Sequence, residues 1–217
     1  MKDLQLKSKQ IKLSKEDDIQ VQNFSAKGEE FDSNEAQIRA SGVKINAGKI
    51  SINGGVIKAG KISMQSGGEI KISNANINAQ KIDLEAKKLD LKDENNSIDT
   101  GLNGEINLKA QEALINANSI TSKKLNIDVN EGSLYQDIKD YENKVNTLQG
   151  LNYQMNKNTN FKRYVNVSQG LNSFENYLPL EENFDIVVRD EEELNSKFYE
   201  DEDGFLKTSG LNIIKKK

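Results

Sequence analysis

A short phrase, an isoleucine followed by one polar and one small residue, recurs five times between residues 37 and 129. The copies are Ile38-Arg-Ala40, Ile57-Lys-Ala59, Ile77-Asn-Ala79, Ile98-Asp-Thr100 and Ile115-Asn-Ala117. Their spacing is nearly regular, and a repeat of this length is typical of solenoid proteins, in which each repeat packs only against its neighbours. The recurrence therefore constrains the fold more than any other feature of the chain.

Triplets of apolar, polar and apolar residues fill the intervals between these phrases. They are Val43-Lys-Ile45, Ile50-Ser-Ile52, Ile62-Ser-Met64, Ile70-Lys-Ile72, Ile82-Asp-Leu84, Leu89-Asp-Leu91, Ile106-Asn-Leu108 and Leu125-Asn-Ile127. In an extended chain both apolar side chains of a triplet leave the same face. The pattern predicts a mainly β protein, a β-helix (β-solenoid) with rungs of about 19–20 residues.

Glycine and asparagine cluster where the corners of such rungs would fall. Examples are Ser41-Gly42, Asn53-Gly54-Gly55, Ser66-Gly67-Gly68 and Asn103-Gly104. These residues tolerate the left-handed backbone conformations that tight bends require. One rung is predicted over residues 56–73 and the next over 74–92.

The predicted domains follow from changes in this pattern. Residues 1–36 continue it less regularly and are predicted to be an N-terminal cap with irregular rungs, in which Phe24 and Phe31 close the open end of the stack. Residues 37–132 are the β-helix repeats. Residues 133–217 are predicted to form a helix followed by a C-terminal interaction region.

The helix is predicted over residues 134–151. Its apolar residues recur every three or four positions, and Ser133 is a candidate N-cap; they are Leu134, Ile138, Tyr141, Val145, Leu148 and Leu151. Such a stripe fits self-association as a coiled coil and intramolecular docking equally well. The remaining residues are predicted to form a small α+β region, with strands at 184–188 and near Leu211 and an acidic stretch over 189–203.

Composition removes several classes of function. The 217 residues include no cysteine, so the chain has no thiol nucleophile. They also include no histidine, the usual general base and metal ligand. The net charge of −4 does not favour nucleic-acid binding. No apolar stretch approaches the ~18 residues of a membrane span. We therefore expect no cofactor, no metal, no nucleic acid and no membrane span.

Carboxylates offer the remaining chemistry. Asp83 with Asp90, or Asp93 with Glu94, could form the acid pair of a glycosidase, but the favoured interpretation is solvated strand residues balanced by neighbouring lysines. Calcium binding by residues 190–193 or 200–203 is likewise less favoured than a solvated acidic surface, because the spacing of an EF-hand loop is missing. The chain is predicted not to be an enzyme.

Three phrases carry a family resemblance: Asn76-Ile-Asn-Ala79, Ile115-Asn-Ala-Asn118 and Ala47-Gly-Lys-Ile-Ser-Ile52. They resemble haemagglutinin-repeat exoproteins of the filamentous-haemagglutinin type. They also resemble the β-helical spike and tail proteins of tailed phages and phage-like contractile injection systems, where phrases like that of residues 80–91 are frequent. The second resemblance is preferred because no secretory signal is seen after Met1, which, if it is the natural start, implies synthesis in the cytoplasm and assembly into a virion or injection particle.

This resemblance implies a non-enzymatic structural protein, a rigid rod whose C-terminal module docks to protein subunits of a larger assembly. Aromatic and large apolar residues anchor interfaces, and the predicted partner contacts are Tyr135, Tyr141, Leu148, Tyr153, Phe174, Tyr177 and Phe184. The alternatives are a secreted or surface adhesin fragment that binds a cell-surface glycan or receptor, and a glycan-degrading tailspike.

Overall fold

The computed structural model describes residues 2–138 and six short segments, 152–155, 160–167, 184–187, 199–200, 205–208 and 211–214. Residues 2–138 form a parallel β-solenoid of about seven rungs, as the sequence predicts. Its strands are β1 (Leu4–Lys7), β2 (Gln10–Leu13), β3 (Asp18–Gln20), β4 (Asn23–Asn34), β5 (Gln37–Arg39), β6 (Gly42–Asn53), β7 (Val56–Ser66), β8 (Glu69–Ser73), β9 (Asn76–Leu91), β10 (Ser97–Asp99), β11 (Glu105–Asn116), β12 (Ile120–Thr121) and β13 (Lys124–Ile138). Short 3₁₀ turns occupy Gly101–Asn103 and Ala117–Ser119.

The first six rungs each contribute a strand segment to three faces, the described part of the seventh contributes to faces 1 and 2, and every pairing between rungs is parallel. Face 1 consists of residues 4–7, 23–28, 42–47, 61–66, 81–86, 105–110 and 124–129. Face 2 consists of residues 10–13, 30–34, 49–53, 69–73, 88–91, 112–116 and 131–135. Face 3 consists of residues 18–20, 37–39, 56–59, 76–79, 97–99 and 120–121.

Apolar side chains stack inside the solenoid in continuous columns, one layer per rung. The face-3 column is Ile19, Ile38, Ile57, Ile77, Ile98 and Ile120. All of its members except the partly buried Ile19 are buried. The alternation read from the triplets therefore identifies the inward side of the strands correctly.

The fifth copy of the isoleucine phrase belongs to a different column. Ile115 lies on face 2 between Leu91 and Leu134, and Ile120 takes the expected place beside Ile98. The cause is one long rung. The number of residues between register partners on face 1 measures the length of a rung, and among the first seven rungs it is largest between Ile82 and Ile106. A corner at 92–96 and the 3₁₀ turn Gly101–Asn103 hold the extra residues.

Phe24 and Phe31 do not close the open end of the stack. Their rings pack edge to face with centroids 6.3 Å apart, and both side chains are buried in the second rung. Leu4 and Ile11 of the first rung lie in register with them. The two rings therefore fill an interior layer of the solenoid.

Left-handed residues recur at the corner between faces 2 and 3. Glu35, Gly54 and Asn74 have φ values of 59°, 72° and 52°. The main-chain nitrogens of Glu35 and Gly54 donate to the carbonyls of the next rung, each over 2.8 Å. These angles confirm the corner predicted at Asn53-Gly54-Gly55, and Asn74 lies at the predicted boundary between the rungs 56–73 and 74–92.

Buried polar side chains hold the long rung together. Asn96 donates from Nδ2 to the Ile72 carbonyl over 2.8 Å and accepts from the Ala75 nitrogen over 3.2 Å. Thr100 Oγ1 donates to Ser122 Oγ over 2.8 Å. These bonds satisfy backbone and hydroxyl groups that would otherwise be buried without partners, which is costly.

The helix predicted from residue 134 does not begin there. Leu134 is buried and belongs to β13, which runs to Ile138 and pairs in parallel with β15 (Asn160–Val167). Hydrogen bonds to strands on both sides, together with burial of Leu134, stabilise the extended form over a short helix that is marginal by itself. The rest of the predicted helix, 139–151, lies outside the described residues.

The other described segments are strands. β14 (Asn152–Met155) continues face 1 beside β13, and β16 (Phe184–Val187) pairs with β15. A separate antiparallel sheet consists of β17 (Tyr199–Glu200), β18 (Phe205–Thr208) and β19 (Leu211–Ile214). Strands therefore occur at Phe184–Val187 and Leu211–Ile214, but the α+β region as a whole stays a prediction, because the rest of it falls on residues that are not described.

Ser33 offers a stabilising substitution. It stands in register between Leu13 and Ile52 in the face-2 core, and its hydroxyl oxygen has no hydrogen-bond partner among the described residues. Because a buried unpaired hydroxyl costs about 1 kcal/mol or more, we expect Ser33→Ala to raise the melting temperature by about 2–4 °C. Thermal unfolding followed by circular dichroism measures this.

The matched control is Ser51→Ala, on the outward side of the same face. It should leave the melting temperature nearly unchanged, because surface substitutions usually stay within about 0.5 kcal/mol. A lower melting temperature for Ser33→Ala would show that the Ser33 hydroxyl contributes to folding.

Candidate functional site

The outer side of face 1 carries a network of amides and charged groups. Asn107 Nδ2 donates to Asp83 Oδ1 over 2.7 Å. Asn126 Nδ2 donates to Asn107 Oδ1 and also to Glu105 Oε1, the latter over 2.8 Å. Asp83, Asn107 and Asn126 are register neighbours on successive rungs, so the parallel stacking itself brings their side chains together.

Lysines complete this network with ion pairs, one within a strand and three across the rungs. Lys61 and Lys81 approach Asp83 at 3.4 and 3.8 Å. Lys81 and Lys124 approach Glu105 at 3.4 and 3.6 Å. The seven residues Lys61, Lys81, Asp83, Glu105, Asn107, Lys124 and Asn126 are called the face-1 network below.

The surroundings of Glu105 lower its pKa. Partial desolvation acts to raise the pKa of this carboxyl, but the charge and hydrogen bond of Lys81, the charge of Lys124 and the Asn126 amide outweigh it. The pKa therefore lies below the ordinary value of 4.5. The folded state holds Glu105 ionised in acid where the unfolded chain would protonate it.

This shift predicts a small acid-dependent contribution to stability. A lowered folded-state pKa stabilises the fold above the ordinary value and loses that effect as the pH falls through the folded value. Glu105→Gln should therefore cost no more than about 0.5 kcal/mol at neutral pH, since the ion pairs are partly solvated. Its stability should also fall less steeply than the wild type below pH 4.5. Urea unfolding across the acid range measures both effects.

The control for this experiment is Glu16→Gln, on an exposed corner of the first rung. It should leave the stability at neutral pH nearly unchanged, because surface substitutions usually stay within about 0.5 kcal/mol. An acid dependence of Glu105→Gln identical to that of the wild type would show that the Glu105 ion pairs contribute nothing to folding.

Face 2 carries a column of alternating charge at its edge with face 1. Its members on successive rungs are Glu30, Lys49, Glu69, Lys88 and Glu112. Lys49 approaches Glu69 at 3.7 Å, and Lys88 approaches Glu112 at 3.1 Å. The hydrogen bond and charge of Glu112 raise the pKa of Lys88. Opposite charges in neighbouring strands favour this register over its alternatives.

Of the two carboxylate pairs considered for glycan hydrolysis, Asp83 and Asp90 lie on different faces, whereas Asp93 and Glu94 are consecutive residues of one corner. Asp83 lies on face 1 in ion pairs, while Asp90 lies on face 2 between Lys71 and Leu114. Asp93 accepts a hydrogen bond from the Asn95 nitrogen over 2.9 Å within a corner. Asp83 is balanced by Lys81 as expected, but Asp90 is buried, with 8% of its surface exposed, rather than solvated.

Two of the grooves on the outside of the described solenoid are lined mainly by polar and charged residues. One, of about 400 Å³, lies at the corner between faces 1 and 2 and includes Gln65, Glu85 and Lys109. The other, of about 480 Å³, crosses face 2 beside Asn34 and Lys71. Neither is lined by an aromatic ring. Apolar and aromatic walls with a few polar groups characterise most small-molecule sites, so these grooves do not favour a small ligand.

Among the residues that the structure describes, no three metal-ligating side chains are grouped so as to hold an ion. Within the same part of the chain, no helix has the length and hydropathy needed to cross a membrane.

The predicted partner contacts are placed only in part. Tyr135 lies in β13 on face 2, Tyr153 lies in β14 beside Leu125 of face 1, and Phe184 lies in β16 beside Arg163. The strand pairing also places Tyr164 next to Tyr135, a neighbour that the sequence pattern did not identify. The remaining predicted contacts lie outside the described residues: Tyr141, Leu148, Phe174 and Tyr177.

Comparison with known proteins yields no relative. No family model, curated protein or solved structure matches the chain. The function must therefore be argued from the solenoid itself.

Proposed function

We propose that the chain is a non-enzymatic structural protein, a stiff β-solenoid that serves as a rod in a larger assembly. The observation that carries this proposal is the continuous stack of about seven parallel rungs. Backbone hydrogen bonds run along all three faces of the stack, and bending it would stretch them on the convex side. A spacing of about 4.8 Å per rung gives a rod of roughly 30 Å for the described solenoid.

The flanks of the rod support the same interpretation. The charged groups of the face-1 network and of the face-2 column pair with one another between rungs. Side chains that are engaged in this way hold the register of the solenoid. They are poorly arranged for proton transfer to a substrate, which needs a group within reach of the reacting atoms in a cleft.

The assembly we propose is a phage tail or a phage-like injection apparatus, with the chain as a spike, fibre or baseplate-associated component. The support is the solenoid fold together with the resemblance of its repeat phrases to such components. In this proposal the protein is made in the cytoplasm and then incorporated into the particle. A secreted haemagglutinin-repeat adhesin is the competing assignment.

Docking to partner subunits is assigned to the region from Tyr135 onward. Tyrosine and phenylalanine supply large contact areas at little cost in conformational entropy and are frequent at interface centres. Outward-facing aromatic rings are lacking on the three faces of the solenoid over residues 4–134. If partner subunits bind the region from Tyr135 onward, the solenoid itself stays uncovered and can project from the assembly.

The test is particle incorporation in the organism that encodes the chain. The epitope-tagged protein is expressed there, particles are separated by density-gradient sedimentation, and the tag is followed through the gradient. We expect co-sedimentation with tail or injection particles. Recovery of the tag only on the surface of intact cells, accessible to added protease, would support the adhesin instead.

Matched variants separate docking from folding. Tyr153→Ser with Phe184→Ser should remove the tag from the particle fraction, while circular dichroism of the purified protein stays that of the wild type. Lys58→Ser, on the exposed side of face 3, should be incorporated normally. Equal incorporation of the aromatic double variant would reject these residues as docking contacts.

A further inference from the structure

We propose that Asn103 is a site of spontaneous deamidation, and that the solenoid protects the other Asn-Gly pair, Asn53-Gly54, from the same reaction. An Asn-Gly pair is the most reactive dipeptide for this chemistry, because glycine offers no side chain to hinder attack by its nitrogen. Elsewhere in residues 2–138 no asparagine is followed by glycine. The two pairs therefore share their chemistry and differ in their structural surroundings.

The reaction is intramolecular and balanced without a co-reactant other than water. The main-chain nitrogen of Gly104 gives up its proton and forms a bond to Asn103 Cγ. The bond from Cγ to Nδ2 breaks, and Nδ2 leaves as ammonia with that proton. Water then opens the cyclic imide at either carbonyl, which gives aspartate or isoaspartate at residue 103.

The backbone around Asn53 opposes this step. Asn53 ends β6 and is paired in parallel with Asn34 on one side and Ser73 on the other. The attacking atom, the Gly54 nitrogen, donates to the Ser73 carbonyl over 2.8 Å. The leaving group is held as well, since Asn53 Nδ2 donates to Asn34 Oδ1 over 3.0 Å. Imide formation here requires the opening of strand pairing on both sides.

The backbone around Asn103 does not oppose it in this way. Asn103 is exposed and ends the 3₁₀ turn Gly101–Asn103 in the long rung, outside the strands. The Gly104 nitrogen makes one long hydrogen bond, 3.5 Å to the Gly101 carbonyl. A single weak bond within a short turn is lost in local fluctuations, whereas a strand end that is paired with both adjacent rungs opens only when that pairing is broken.

The structure also indicates a consequence of the isoaspartate product, which adds one carbon to the main chain before Gly104. Gly104 is tightly enclosed, since a Cβ there would lie 2.2 Å from the Thr100 carbonyl oxygen and 2.7 Å from that of Gln80. Its own carbonyl accepts from Ser122 Oγ and from the Lys124 nitrogen. A lengthened chain must displace these contacts, which join the sixth rung to the seventh.

The experiment ages the purified full-length chain in mildly alkaline buffer and follows both pairs by tryptic peptide mapping. Cleavage at lysines places the pairs on different peptides, residues 50–58 and 93–109, and fragmentation locates the modified asparagine. We expect residue 103 to convert at least about tenfold faster than residue 53 in the folded protein, because only the latter needs extensive opening. Equal rates, or faster conversion of Asn53, would overturn the proposal.

A denatured sample supplies the control. In guanidinium the two pairs should convert at similar rates, because only the local sequence then matters; a difference that persisted there would assign the effect to sequence rather than to the fold. The structural consequence is tested by comparing aged protein with Asn103→Asp. Aged protein rich in isoaspartate should melt at a lower temperature than Asn103→Asp, and identical melting would reject displacement of Gly104.

Discussion

Ile77→Asp is expected to abolish the cooperative unfolding transition of the solenoid. Ile77 is fully buried on face 3, between Ile57 and Ile98 of the adjacent rungs. An aspartate there would place a carboxylate in an apolar layer, which costs several kcal/mol even if the group becomes protonated. Because domains of this size are stable by only about 5–15 kcal/mol, a cost of this order at the centre of the stack removes most of the margin.

The measurement is thermal and urea unfolding followed by circular dichroism. Its control is Asn76→Asp, which introduces the same carboxylate one residue earlier on the exposed side of β9. That variant should unfold cooperatively, with a midpoint close to that of the wild type. Wild-type-like melting of Ile77→Asp would contradict the assignment of the face-3 column. The same loss is expected for Ile115→Asp, since Ile115 is fully buried on face 2.

The solenoid could be predicted from sequence because its signal is local and repeated. In a triplet such as Ile62-Ser-Met64, alternation alone decides which side chains face inward, and the structure buries both apolar residues. Each rung reuses the same three faces, so an error in one rung does not spread to the others. The glycine and asparagine corners add a second, independent signal at Gly54 and Asn74.

Assignment of residues to columns failed where rung length changes. A residue one repeat length after Ile98 would lie between Ile115 and Ile120. Of these two isoleucines, Ile115 begins a phrase, Ile115-Asn-Ala117, that matches the repeat better. The structure chooses Ile120 because the long rung absorbs its extra residues in corners and so delays the return to face 3. A sequence pattern does not distinguish an inserted corner from a shifted repeat.

The start of the predicted helix failed for a different reason. Leu134 and Ile138 are four residues apart, which places them on one side of a helix and equally on one side of a strand. The deciding factor is the edge of β11, which lies in register with residues 124–135 and supplies hydrogen-bond partners. A local pattern of apolar residues contains no information about such pairing between distant parts of the chain.

The candidate surfaces could be predicted less well than the core. Lysine and acidic residues on outward positions were expected to be solvated and balanced, but their partners depend on register. Asp83 meets Lys61, which belongs to the preceding rung, because both lie on face 1. Stacking therefore converts outward positions that look independent in sequence into a connected network, which supports a structural role for these charges.

Gly55→Ala is expected to destabilise the solenoid by about 3 kcal/mol or more, because it combines two of the mechanisms that produce large losses. Gly55 has a φ of +76°, a conformation that costs an alanine roughly 1–2 kcal/mol. An added Cβ would also lie 2.2 Å from the Ala36 carbonyl oxygen and 2.7 Å from the Glu35 carbonyl carbon. Both contacts are with backbone of the adjacent rung, so neither can be relieved by a change of rotamer.

Gly67→Ala is the matched control, at another corner of the same solenoid. Its φ is not positive, and an added Cβ would meet no atom within 4 Å. This variant should be neutral or stabilised by up to about 1 kcal/mol, since alanine restricts the unfolded chain more than glycine does. The Gly55 variant should melt at least about 6 °C below the wild type. Equal melting temperatures for the two variants would show that adjacent rungs are not in close contact at the corner of Gly55.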